Sequence, residues 1–136
     1  FKPHAGMKKF VSDLNAVYRN YPALYEKAFS PEGFSWIEMA DHTNSLFVYT
    51  RKGHDEENDL LIVLNLTPVV RRNFRVGATH GGTWELVLNS DETKYNGSGV
   101  SVKKKVATDA VFWMNQKQSI VLDIPPLAGL IFKRVL

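Results

Sequence analysis

The sequence predicts an all-β protein, an antiparallel β-sandwich of about eight strands that follows a single amphipathic helix at the N-terminus. Three observations carry this prediction. Short runs rich in β-branched and aromatic residues recur along the chain, and turn residues separate them roughly every 8–12 positions. Helical periodicity is confined to the segment before Pro22. Together these features favour one sheet-built body with a helix at its start.

The helix is predicted over residues 6–18, where apolar residues recur at spacings of three and four. These residues are Met7, Phe10, Val11, Leu14, Val17 and Tyr18. Lys8, Lys9, Ser12, Asp13 and Ala16 fall on the opposite face. Pro3 precedes the helix, and Pro22 stops it soon after Asn20. An apolar stripe of this kind needs a partner surface.

The strands follow from alternation and from turn residues between the runs. They are predicted over residues 34–39, 45–51, 60–66, 73–76, 83–88, 100–108, 119–124 and 127–135. The aliphatic run 60–66 predicts a buried strand, and Pro68 lies just beyond it. Alternation places Trp84, Leu86 and Leu88 on one face of their strand. Lysines within 100–108 predict an edge strand, whereas residues 109–116 follow no assignable pattern.

The composition excludes several classes of protein. A chain of 136 residues that is 44% hydrophobic and 23% charged is typical of a single globular domain. It contains no cysteine and no apolar run near the roughly 18 residues that cross a membrane, so we expect no disulfide scaffold and no membrane partner. No signal peptide is visible, which favours a cytoplasmic protein. The absence of an initiator methionine hints at a fragment of a larger protein.

Charged and nucleophilic residues form no predicted catalytic or metal site. The net charge is +3, and its clusters, Arg71-Arg72 and 103–105, indicate solvated strand ends rather than a nucleic-acid partner. Asp91 and Glu92 are adjacent in a turn, where we expect exposed, ionised carboxylates. The four histidines lack metal-ligand spacing; they are His4, His42, His54 and His80. We therefore expect no catalytic residue, no metal and no cofactor in the chain.

Sugar binding is the remaining chemical role, because aromatic rings can stack on sugar rings while amides and carboxylates bind hydroxyls. The aromatic candidates are Trp36, Trp84 and Trp113, and Asn89, Asp91 and Tyr95 lie near Trp84 in the sequence. For Trp84 the alternation with leucines favours a core position. Trp36 follows a turn, and we expect it to contribute either to a glucan contact or to a domain interface.

Several motifs in order resemble the C-terminal β-domain of bacterial glycogen branching enzymes, which are 1,4-α-glucan branching enzymes of the α-amylase superfamily. They are the helix with its PALYE exit, PEGFSWI, NLTPVVRRNFRVG, WELVLNSDETKYNGSG and LDIPPLAGLIFK. The sequence departs from the family pattern at Val70 and Asn96, where proline and glycine are common, and at 100–102. Asparagine tolerates the left-handed conformation, so the turn at Asn96 is expected to survive.

The resemblance implies an α-amylase C-terminal-domain-like sandwich over residues 23–136. Residues 1–22 would be the last helix of the catalytic (β/α)8 barrel and the exit from it. The catalytic barrel of the same chain would be the partner, and the parent enzyme would form α-1,6 branches by transglycosylation. Every catalytic motif would lie before residue 1, so the chain alone is expected to be inactive. Whether the domain itself binds α-glucan stays open, as does the alternative of a free-standing carbohydrate-binding or interaction module.

Overall fold

The computed structural model describes residues 2–41 and 43–136. The turn predicted at residues 41–44 therefore lies partly outside the described residues, because His42 is not among them. Helix α1 covers Lys2–Asn20, which confirms the helix predicted over 6–18 and extends it in both directions. Pro3 lies in its first turn, where a missing N–H has no helical acceptor. Pro22 opens a short 3-10 turn, Pro22–Leu24, as expected.

Eight strands follow among the described residues. They are β1 Phe34–Asp41, β2 Leu46–Arg51, β3 Leu60–Asn65, β4 Arg71–Ala78, β5 Thr83–Asn89, β6 Lys105–Ala107, β7 Gln118–Ile124 and β8 Ala128–Val135. A six-stranded sheet has the order β1-β2-β3-β8-β5-β6, and β4 and β7 form a second sheet. The pairs within both sheets are antiparallel. The predicted all-β sandwich with one N-terminal helix is confirmed.

The main core lies between the two sheets. Its fully buried members include Val63, Trp84, Ile120 and Phe132. Strand β2 contributes through the predicted alternation, with Leu46, Val48 and Thr50 buried and the residues between them half-buried. Burial of each large apolar side chain contributes about 1.5–3 kcal/mol, so this layer supplies most of the stabilisation of the sandwich.

A second, smaller core lies on the opposite face of the six-stranded sheet, which we call the outer face. Val17 and Ala23 from the helical segment pack there against Leu60, Ile62 and Ile131. Strand β3 is therefore covered on both sides, since its alternate residues belong to the main core. This explains why its sequence is an apolar run rather than an alternating one. The helix adds a partial third layer to the sandwich.

The structure corrects the predicted face of Leu88. Leu86 pairs with Phe132 while Leu88 pairs with the next residue, Ile131, so strand β5 contains a bulge at Val87. A bulge adds one residue to one strand and reverses the side chains beyond it. Trp84 and Leu86 consequently face the main core, and Leu88 faces the helix.

Strand β6 and the segment that follows it also differ from the sequence analysis. Strand β6 covers three residues, Lys105–Ala107, rather than 100–108. At the start of the predicted range, the backbone N–H of Val100 donates to the carboxylate of Asp91 instead of to a neighbouring strand. Residues 113–116, which the sequence left unassigned, form a tight hairpin in which Met114 and Asn115 adopt positive φ.

Within residues 2–41 and 43–136, no helix has the length and apolar character that crossing a membrane requires.

Candidate functional site on the outer face

The predicted apolar stripe of the helix is only partly covered by the domain. Gly6, Phe10 and Val17 turn toward the domain, and they are buried or half-buried. A second set, beside the first on the helix surface, remains exposed and is called the outer stripe; its members are Met7, Val11, Leu14 and Tyr18. Met7 is 62% exposed and Tyr18 is 51% exposed. The domain therefore covers only part of the apolar surface that the helix carries.

The inner face of the helix is fastened by Tyr95 from the loop between β5 and β6, residues 90–104. The Tyr95 hydroxyl donates to Oδ2 of Asp13 at 2.5 Å. Its ring meets the ring of Phe10 edge-on, with centroids 5.1 Å apart. Asp13 was predicted on the polar face of the helix and is instead part of this contact. Its spacing of three from Phe10 and four from Val17 is the sequence signal that places it there.

The charges in this contact favour a neutral phenol and an ionised carboxylate. The hydrogen bond from Tyr95, followed by the one from Lys9, lowers the pKa of Asp13 below its ordinary value. Burial, followed by the hydrogen bond to Asp13, raises the pKa of Tyr95. Lys9 reaches Oδ1 of Asp13 at 2.9 Å along the helix surface. Around neutral pH the Tyr95–Asp13 bond is therefore charge-assisted and stronger than a neutral one.

Asp91 organises the loop that carries Tyr95. Its carboxylate accepts hydrogen bonds from the Ser98 N–H at 2.9 Å, from the Ser98 hydroxyl at 2.7 Å and from the Val100 N–H at 3.2 Å. Asp91 is 6% exposed, so the prediction of an exposed turn acid is wrong. The carboxylate is buried because loop donors replace the water that an exposed turn would supply.

The neighbouring residues complete this loop. Asn89 is buried, and its Oδ1 accepts from the Asp91 N–H at 2.9 Å. Asn96 adopts the left-handed conformation with φ of 65°, which confirms that the turn survives without glycine at that position. Gly97 passes so close to the Asp91 carbonyl that a Cβ there would overlap it. Asn89, Asp91 and Tyr95 thus form one unit that holds the helix.

Trp84 lies away from this unit. It is 1% exposed in the main core, and its indole N–H donates to the His80 carbonyl at 3.2 Å. This is the core position that alternation with leucines favoured, and it leaves no ring face open to a ligand.

Trp36 is 45% exposed and lies in an aromatic cluster formed by Phe34, Trp36, Phe47 and Tyr49. Its ring is 5.0 Å from Phe34, 6.0 Å from Phe47 and 5.7 Å from Tyr49, with interplanar angles of 87°, 50° and 73°. Trp36 pairs with Tyr49 across β1 and β2, and Tyr49 packs against the second core. The aromatic cluster therefore belongs to the outer face, beside the helix.

An apolar groove of about 620 Å³ separates the helix from the sheet. Its walls include Phe10, Leu14, Tyr18, Tyr49, Ile62 and Leu64. None of the described residues that line it is charged. The sequence did not predict this groove, because its walls come from elements separated by more than a hundred positions. The outer stripe, the groove and the aromatic cluster form one continuous apolar surface.

A polar pocket elsewhere, of about 450 Å³, contains the side chains of Asp59 and His80. Burial raises the pKa of Asp59, while His80 opposes the shift. Oδ1 of Asp59 has no hydrogen-bond partner among the described residues, and Oδ2 lies 3.9 Å from Nδ1 of His80. No group of three described histidines, cysteines or acids is arranged to hold a metal ion.

The chain is similar to one family of β-domains and to part of several longer enzymes. The family described as the α-amylase C-terminal all-β domain matches residues 36–135. The chain is 41% identical over 135 residues to the 1,4-α-glucan branching enzyme GlgB of Marinobacter nauticus, covering 98% of this chain and 21% of that protein. It is 38% identical over 133 residues to the enzyme of the same name from Aquifex aeolicus, with the same coverages of 98% and 21%.

The chain thus spans about a fifth of the length of these curated relatives. Among solved structures, a mutant of isomaltulose synthase from Erwinia rhapontici NX5 in complex with sucrose matches with a TM-score of 0.51 and 20% identity. That match covers 89% of this chain and 16% of the synthase. At this identity the likeness concerns the fold alone.

Proposed function

Because the chain belongs to the α-amylase C-terminal all-β domain family, we propose that it is the non-catalytic C-terminal domain of a 1,4-α-glucan branching enzyme. The parent protein would cleave an α-1,4 glucan bond and transfer the chain to a 6-hydroxyl, forming branches during glycogen biosynthesis in the cytoplasm. Residues 1–22 would leave the catalytic barrel, and residues 23–136 would form the domain that packs against it.

The observation that carries this proposal is the outer stripe. Helix α1 is fastened to its own domain through Phe10, Asp13 and Val17, yet Met7 and Val11 remain exposed. An exposed apolar surface of this extent, continuous with a groove, is typical of an interaction site. Because the relatives are about five times longer than this chain, a catalytic domain in the same polypeptide is the partner that fits.

The aromatic cluster supports the same proposal. A carbohydrate module generally presents a flat aromatic platform, whereas the exposed Trp36 ring meets its three neighbours at 50° to 87°, and only Phe34 and Tyr49 approach a common plane, at 31°. Edge-on and tilted rings of this kind interlock as they do in packed interfaces. Trp36 would thus contribute to the domain interface, and Asn89, Asp91 and Tyr95 would position the helix within it rather than bind sugar.

A mutation in the outer stripe tests the proposal. In the full-length protein, Val11→Asp should lower the melting temperature by several degrees, because a charge would then be buried at the interface. It should also separate the unfolding of this domain from that of the barrel in calorimetry. Ser12→Asp, on the adjacent exposed position of the helix, is the matched control. In the 136-residue chain both variants should behave alike, and equal effects in the full-length protein would refute the proposed interface.

A free-standing carbohydrate-binding module is the second candidate, favoured by the exposure of Trp36 and Trp113. Titration of the chain with maltoheptaose separates the two. Saturable binding that Trp36→Ala removes would support the module. The interface proposal expects no saturation at millimolar sugar and no branching of amylose by the chain alone in an iodine assay.

A further inference from the structure

We infer that the groove between helix α1 and the six-stranded sheet receives bulky apolar side chains from the preceding domain of the same polypeptide. This inference rests on the proposed function and adds to it a specific receptor. The groove opens beside the outer stripe because Leu14 and Tyr18 belong to both. On its other side Tyr49 joins the groove to Trp36. A body that covers the outer stripe and the aromatic cluster must therefore pass over the mouth of the groove.

The helix is fastened in a way that keeps the groove open. Phe10 and Asp13 hold its first half through Tyr95, and Val17 is buried near its end. Between these points Leu14 is 37% exposed although it lines the groove. The groove, of about 620 Å³, is open to solvent, so its apolar walls stay in contact with water until another apolar surface covers them. The domain alone does not fill it.

The chemistry of the walls selects the occupant. Asn15 and Ser90 are the most polar of the described residues that line the groove, and the Ser90 hydroxyl already accepts a hydrogen bond from the Gly129 N–H at 2.8 Å. A sugar would lose hydrogen bonds to water at each hydroxyl and regain few of them here, which disfavours it. Aliphatic or aromatic side chains lose no such bonds and gain contact with Ile62, Leu64 and Ile131.

Filling the groove with a larger side chain of the domain itself tests the inference, because it should change the melting temperature in opposite directions in the chain alone and in the full-length protein. Leu64→Trp places a larger ring in the groove, and Val69→Trp is the control on an exposed position outside it. In the 136-residue chain, Leu64→Trp should raise the melting temperature by about 3 °C and reduce the fluorescence of a bound hydrophobic dye. In the full-length protein it should lower the melting temperature and uncouple the domains, while the control does neither.

Each other outcome overturns the inference. If Leu64→Trp shifts the melting temperatures of the chain and of the full-length protein in the same direction, nothing from the preceding domain enters the groove. A failure of Val11→Asp to uncouple the domains would instead refute the proposed function. If the chain dimerises and Leu64→Trp abolishes only the dimer, the occupant is a second copy. If maltoheptaose raises the melting temperature of the chain and Leu64→Trp removes that shift, the occupant is sugar. Should Leu64→Trp fail to fold, Asn15→Phe fills the groove from the helix side.

Discussion

The hydroxyl of Tyr95 donates a 2.5 Å hydrogen bond to the carboxylate of Asp13, which lies 82 positions earlier in the chain. This bond joins the N-terminal helix to the loop between β5 and β6, beside the edge-on contact of Phe10 with the Tyr95 ring. Together with the packing of Phe10 and Val17, it turns the inner part of the apolar stripe toward the domain, while the outer stripe remains exposed.

Tyr95→Phe should lower the free energy of unfolding by about 1–2 kcal/mol. The ring keeps its contact with Phe10, so the change isolates the loss of a charge-assisted hydrogen bond. Urea denaturation followed by circular dichroism measures the effect. Tyr25→Phe is the matched control, since Tyr25 is 41% exposed and its ring contacts that of Tyr18 in a tilted arrangement. Equal changes for the two variants would mean that the Tyr95–Asp13 bond contributes nothing.

The contribution of the Tyr95–Asp13 bond should depend on pH at the acidic end. The pKa of Asp13 is lowered in the folded protein from its ordinary value of 3.8. A lowered acid pKa adds stability that is present above the unfolded value and is lost as the pH falls through the folded value. The difference in unfolding free energy between the wild type and Tyr95→Phe should therefore shrink below about pH 4. A difference that stays constant from pH 7 to pH 2.5 would show that the carboxylate charge is irrelevant.

Asp59→Asn should stabilise the protein at pH 7 by about 1 kcal/mol, because it removes a buried carboxylate whose Oδ1 has no partner among the described residues. Burial raises the pKa of Asp59 in the folded state, so its ionisation opposes folding above the unfolded value of 3.8. The gain should be present at neutral pH and vanish at low pH, where both states are protonated. Glu57→Gln, an exposed acid nearby, is the control. A loss of stability at pH 7 would show instead that attraction to His80 outweighs burial.

Gly97→Ala should destabilise the chain by more than about 2 kcal/mol, because its Cβ would overlap the backbone carbonyl of Asp91. The loop would move, and the contact of Tyr95 with the helix would weaken with it. Gly81→Ala serves as the comparison, since its Cβ would meet only the flexible side chain of Gln118, at 3.3 Å. Chemical denaturation of the two variants measures the difference. Similar stabilities would indicate that the loop adapts without loss.

Trp36→Ala should reduce the stability of the full-length protein more than that of the 136-residue chain, because the proposed interface would bury the half-exposed ring. Phe112→Ala is the control, as Phe112 is 66% exposed and lies outside the aromatic cluster. Differential scanning calorimetry of both forms provides the measurement. If maltooligosaccharide retention and branching by the full-length protein are also unchanged in Trp36→Ala, this residue has neither of the roles expected for it.

The sheet could be predicted from the sequence because alternation and turn residues are local signals. The aliphatic run of β3, interrupted only by Asn65, predicts a buried strand, and its burial on both faces confirms this. The predicted face of Leu88 failed because a bulge at Val87 depends on pairing with β8, which the sequence of β5 does not contain. The exposure predicted for Asp91 failed for a similar reason, since its hydrogen-bond donors are supplied by the fold of the whole loop.

By itself the sequence determined the elements, namely one amphipathic helix, a series of short strands and the turns between them, because each depends on neighbouring residues. Only the tertiary structure decided how the six apolar positions of the helix divide between an inner face and the outer stripe. That division depends on where Tyr95 meets Asp13 and on how much of the helix the sheet can cover. Burial is a property of surfaces brought together from distant parts of the chain, so periodicity identifies an apolar face without revealing which part of it stays open.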